Sequence, residues 1–108
     1  MGDGGSDLGR FSDPALFVLA SLADGEKHGY AMMEDIEEMC EMCGTRLGPG
    51  TLYGALARLE RRGLVEPLSS EERRRPYRLT ADGASAWEER LKELEGFARA
   101  GLGRLATA

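Results

Sequence analysis

"LGPGTLYGALARLERRGLVEP", residues 47–67, decides the fold. It sets glycine, proline and glycine directly before a run patterned as a helix, and the run ends in Arg58, Arg61 and Arg62. Gly48 suits an N-cap, and Pro49 suits the first helical position, where a missing N–H costs nothing. Leu52, Ala55, Leu56 and Leu59 then share one face at helical spacing, and Gly63 stands where a left-handed C-terminal cap is expected. The opposite face carries Thr51, Tyr53, Gly54, Ala57, Arg58, Arg61 and Arg62. Its first turns are small or hydroxylic, and its last turn is basic.

Two further helices precede this one. "SDPALFVLASLADG" has Ser12 or Asp13 as cap, Pro14 at the first position and Gly25 as terminator, with Leu16, Leu19, Ala20 and Ala23 on one face widened by Phe17 and Leu22. "HGYAMMEDIEEMCEMC" repeats Tyr30, Met33, Ile36, Cys40 and Cys43, with Met32 beside them, and ends at Gly44. Downstream, "LVEPLSS" and "RPYRLT" are β-prone runs around "EERRR", a hairpin with a charged tip. Pro67 and Pro76 are expected to confine both strands to sheet edges.

Thr80 is placed to cap a last helix with Asp82 in its first turn. Trp87, Leu91, Leu94, Ala98, Gly101 and Leu105 form a heptad-like stripe flanked by Phe97 and Leu102. So long a helix has little left to bury against in a small domain, so its stripe is expected to meet a second copy of itself. The order predicts a mainly α winged helix-turn-helix, three helices plus a two-stranded wing, followed by a long dimerisation helix. The expected boundaries are a disordered glycine-rich tail over 1–11, the winged-helix domain over 12–80 and the dimerisation helix over 81–108.

A chain of 108 residues builds one core. The longest apolar run, residues 15–23, is about half a bilayer span, and no basic leader precedes it, so the expected compartment is the cytoplasm. The net charge of −5 argues against nucleic acid only until its distribution is read. Between Asp24 and Thr45, seven acids face Lys27 alone; between Arg46 and Arg78, eight arginines face four glutamates. Local field decides whether phosphate is attracted, and the basic segment begins at the opening stretch.

Chemistry other than binding finds little support. Cys40 and Cys43 form a lone C-x-x-C; zinc would need two more ligands, and His28 is the only histidine. Both thiols read as small apolar filler, and Met32, Met33, Met39 and Met42 as soft core. No nucleophile accompanies His28, and no phosphate-cradling glycine loop follows a strand, so neither a catalytic site, a metal nor a cofactor is expected.

The motifs resemble a known family. "HGYAMMEDIEE", "LGPGTLYGALARLERRGLVEP" and "RRRPYRLTADG" are similar, in order, to the PadR-like transcriptional regulators over about residues 15–105, in the short branch with one C-terminal helix. The resemblance implies a homodimeric repressor on double-stranded DNA, often relieved by a small hydrophobic or aromatic effector. It implies DNA contacts from Thr51 and Tyr53 on the recognition helix, from Arg73, Arg74 and Arg75 with Tyr77 on the wing, and from His28. Some short members hold planar drugs against a tryptophan midway along the terminal helix. Here Trp87 lies nearer the start and Leu94 occupies the later turn, with Phe97 beside it as the other candidate for an effector pocket.

Elementary chemistry agrees with those roles. A helix start of glycine, proline and glycine can lie close to a sugar-phosphate backbone, with free N–H groups and a positive dipole end towards phosphate. Gly54 and Ala57 keep the face shallow, while Arg58 and Arg61 suit base edges or backbone. Expected dimer contacts are Trp87, Leu91, Leu94, Phe97, Ala98, Leu102 and Leu105. Alternative readings are a regulator that senses a ligand or the oxidation of Cys40 and Cys43, and a winged-helix protein-interaction module that does not bind DNA.

Overall fold

The computed structural model describes residues 13–68 and 75–107. The expected tail over 1–11, Ser12 and the wing-tip residues Arg73 and Arg74 lie outside the described residues. Helix α1 spans Asp13–Leu22, strand β1 Lys27–His28, α2 Gly29–Cys43 and α3 Pro49–Arg61. After these come β2 (Val65–Pro67), β3 (Pro76–Leu79) and the 27-residue α4 (Ala81–Thr107). Helix, helix, helix, sheet and long helix is the architecture the sequence implies.

The core sits where α1 meets the other helices. Ala15, Val18, Leu19 and Leu22 are its buried residues, one position away from the expected face of Leu16, Leu19, Ala20 and Ala23. Ala23 is exposed, just past the helix end. The cause is that α1 is apolar on nearly every side and packs against α2, α3 and α4, so periodicity alone gives it no phase.

In α2 the buried residues are Met32, Ile36 and Cys40, with Met33 and Met39 half-buried against the same core. The expected stripe ran from Tyr30 to Cys43, and both ends are exposed. Thirteen positions separate them, which on a 3.6-residue turn rotates one about 140° from the other. A stripe that long with that spacing cannot stay on one face. Met42 is also exposed, so the cysteines and methionines divide between core and surface.

α3 follows the sequence closely. Gly48 caps it in extended geometry, Pro49 occupies the first turn, and Leu52, Ala55, Leu56 and Leu59 are all buried. Gly63 has a φ of 77°, the Gly63 N–H donates to the Glu60 carbonyl at 3.0 Å and the Leu64 N–H to the Leu59 carbonyl at 3.0 Å. These are the paired bonds of a Schellman ending, and the left-handed residue they need is the one for which glycine carries no β-carbon penalty.

The wing is wider than expected. Its sheet has three antiparallel strands in the order β1-β3-β2, because Lys27 and His28 pair with Tyr77 and Pro76. β3 is therefore central, and Pro76 is not on an edge strand as expected. It is tolerated as the strand's first residue, where its carbonyl accepts the Leu68 N–H at 2.8 Å. Pro67 does lie on the outer strand, opposite Tyr77.

α4 begins as predicted: the Thr80 hydroxyl accepts the Gly83 N–H at 3.0 Å. Its early turns join the common core through half-buried Trp87. From Leu91 to Thr107 every residue is exposed. Among the described residues, no helix is long and apolar enough to cross a membrane.

Candidate nucleic-acid interface

The outward face of α3 is open along its length. Gly50, Thr51, Tyr53, Gly54, Ala57, Arg58, Arg61 and Arg62 are all exposed. Gly54 lies in the helix interior, where glycine costs roughly 1 kcal/mol relative to alanine. A β-carbon there would meet nothing within 4 Å, and the same holds at Gly48 and Gly50. Internal packing therefore gives no reason for these glycines.

Glu66 does not neutralise the arginines of this face. It pairs instead with Arg78 across the strands, Nε to carboxylate at 2.7 Å, in register on β2 and β3. Among the described residues, neither Arg58 nor Arg61 has an ion-pair partner. The dipole of α3 gains from a basic last turn, which accounts for part of the preference but not for the outward aim.

Tyr53 is half-exposed and stands over the start of α2. A β-carbon on Gly29 would lie 3.1 Å from the Tyr53 hydroxyl. The ring thus has one side against backbone and the other in solvent. His28, immediately before, is exposed in extended geometry and caps α2 without a side-chain hydrogen bond. Its Cα partner is Pro76, so the structure brings His28 beside Arg75, the exposed described residue of the wing tip. Tyr77, expected at the wing surface, is half-buried and packs on the core, which leaves its hydroxyl-bearing ring as a prop for the sheet.

Strand β1 is held by a polar clamp. The Lys27 ammonium donates to the Ser21 carbonyl at the end of α1 and to the Asp24 carboxylate, and lies 3.7 Å from the Asp35 carboxylate of α2. The buried Ser21 hydroxyl donates to Asp35 at 2.8 Å. Hydrogen bonding to Lys27, then its charge, holds the Asp24 carboxyl below the usual carboxylate range. The clamp ties α1, α2 and β1 together, and β1 in turn carries β3.

Glu34, Glu37, Glu38 and Glu41 are exposed on α2, and Arg58, Arg61 and Arg62 on α3 and Arg75 on the wing are exposed as well. Arg46 lines a surface groove with Glu34, Glu37 and Glu41. On α4, Leu91, Leu94, Phe97, Leu102 and Leu105 are exposed, Phe97 at 78%. Ala98 is exposed beside them. Trp87 and Phe97 are ten positions apart on one helix, about 15 Å, so one chain alone does not bring the two expected effector residues together.

Residues 18–89 match the family described as "Transcriptional regulator PadR-like family". The chain belongs to that family. Its relatives include Transcriptional regulator Rv3488 of Mycobacterium tuberculosis, 40% identical over 94 residues, covering 82% of this chain and 81% of that one. A 37.1 kDa protein in a Streptomyces fradiae transposon is 51% identical over 79 residues, 73% of this chain but only 22% of that protein. The crystal structure of a PadR family transcription regulator from Clostridium difficile superposes with a TM-score of 0.75 at 24% identity, over 87% of this chain and 99% of that one. Bordetella bronchiseptica BpsR, whose DNA binding is regulated by 6-hydroxynicotinic acid, shares the fold with a TM-score of 0.69 at 20% identity, over 88% and 67%. The chain is therefore a PadR-like transcriptional regulator with the winged-helix fold.

Three functional features escaped sequence reasoning. Gly29 stands within the H-G-Y motif, and only the Tyr53 ring packed above it gives the glycine a purpose. Ser21, a lone polar residue amid the apolar α1 run, could have suggested a buried partner, though not Asp35 or Lys27. Gly83 was part of a motif without a role.

Proposed function

We propose that this PadR-like protein is a homodimeric repressor in which residues 12–80 read DNA and the helix over 81–108 pairs two copies. Each α3 enters a major groove of double-stranded DNA. Thr51 and Tyr53 contact backbone or a thymine methyl, Gly54 gives the groove clearance, and Arg58 and Arg61 reach base edges or phosphate. The wing arginines Arg73, Arg74 and Arg75 lie along the adjacent backbone or minor groove, with His28 at a phosphate nearby. The observation that carries this reading is the α3 face: helix-weakening glycine with open space beside it, next to Arg58 and Arg61, which have no ion-pair partner among the described residues.

The exposed apolar side chains of α4 support pairing, since a stripe of that length on a lone chain would remain wetted. Within the dimer, Trp87 and Phe97 of opposite copies come within reach of one apolar effector, and binding there relieves repression. The compartment is the cytoplasm, where the DNA is.

A mobility-shift titration on the DNA upstream of the protein's own gene tests the reading, run at two salt concentrations beside an Arg58→Ala, Arg61→Ala variant. A specific shift that weakens with salt and is lost in the variant supports it. A shift equally strong in the variant would remove the α3 assignment.

A further inference from the structure

The end of α3 and the start of α4 are joined directly, although the wing separates them in sequence. The Thr80 hydroxyl donates to the Gly63 carbonyl at 2.6 Å, and the Thr80 N–H donates to the Leu64 carbonyl at 3.1 Å. The same hydroxyl accepts the Gly83 N–H. Gly83 is buried, and a β-carbon on it would lie 1.9 Å from the Leu64 carbonyl oxygen and 2.9 Å from its carbon. The first turn of α4 thus rests on the two residues that terminate α3, backbone on backbone. No flexible side chain lies between them to absorb a change.

We propose that Gly83 and Thr80 are positioning residues that set which spacing of two DNA half-sites the protein recognises. The proposal rests on the reading of the protein as a dimer that binds DNA through α3. In such a dimer the distance between the two reading helices depends on the angle at which α4 leaves α3. α4 is about 40 Å long, so parting the backbones at its base by more than an ångström swings its far end by several. Half-sites of a dimeric reader lie about 34–36 Å apart, and one base pair is about 3.4 Å of that. A wedge at residue 83 therefore changes the preferred spacing by about a base pair, or blurs it. α3 keeps its own packing against α1, so contacts made within one half-site are expected to persist, and a single half-site duplex measures whether they do.

The test uses a duplex selected by the unaltered full chain from a randomised pool, then rebuilt with the half-site separation changed by one and two base pairs either way, plus a single half-site. Gly83→Ala is expected to lose about tenfold in affinity at the original spacing relative to the best altered spacing, or to bind all spacings alike, with single half-site affinity and dimer mass unchanged. Thr80→Val, which removes both hydroxyl hydrogen bonds without a clash, is expected to flatten the preference. It decides the matter if Gly83→Ala does not fold. A folded dimer of either variant that keeps the original preference overturns the proposal. An unaltered chain that selects no duplex, or that is monomeric in solution, overturns the underlying reading and the proposal with it.

Discussion

The Tyr53 hydroxyl lies 3.1 Å from the point a β-carbon on Gly29 would occupy, so a residue at the start of α2 fixes how an exposed side chain of α3 is held. Gly29→Ala should displace the phenol by a few tenths of an ångström. Alanine is also the better helix former, by up to about 1 kcal/mol. The expected outcome is a thermal midpoint unchanged or raised, with DNA affinity reduced roughly threefold to tenfold. A parallel fall in both would mean that Tyr53 acts through packing alone.

Arg58 and Arg61 should contribute to the salt dependence of binding. If both sit on phosphate, replacing them with alanine lowers the slope of log affinity against log salt by about 2. If they read bases, the slope changes little and discrimination between sequences falls instead. Titration at several salt concentrations, on specific and scrambled duplexes, separates the two.

The Asp24–Lys27 pair should leave a mark on the acid limb of stability. Lys27 lowers the folded-state pKa of Asp24. A depressed carboxyl stabilises the fold above its unfolded value, and that contribution disappears as pH falls through the lower folded value. Asp24→Asn should therefore lower the urea midpoint at about pH 6 and converge with the unaltered protein near about pH 2. A constant gap at both pH values would show that the ion pair is not its source.

Burial separates two leucines that look alike in sequence. Leu59 is fully buried, and Leu59→Ala should cost about 2–5 kcal/mol in unfolding free energy. Leu102 is mostly exposed on one chain, so Leu102→Glu should preserve helix content. It should nevertheless convert dimer to monomer by light scattering if α4 is the pairing helix.

How far the sequence was legible depended on the kind of signal. α3 could be read almost residue by residue, because capping glycine, proline and a clean apolar face all agreed. α1 could be recognised but not phased, being apolar all round. In α2 the acids fix the polar side only loosely, so the expected stripe holds at Met33, Ile36 and Cys40 and fails at its two ends, Tyr30 and Cys43. β1 was invisible: two residues carry no period, and only pairing with Tyr77 and Pro76 makes them a strand. The candidate interface was legible where it consists of exposed α3 residues. Its supports, Gly29 beneath Tyr53 and Lys27 between Ser21 and Asp35, depend on contacts between distant segments that no local pattern encodes.

The two outer strands of the wing are only two and three residues long, and Pro67 closes one of them. So little unpaired backbone offers almost no template for a further strand. Crowding at high concentration should thus drive the molecule into helical partnership through its terminal rod, and away from the cross-β stacking that longer, flatter ribbons invite.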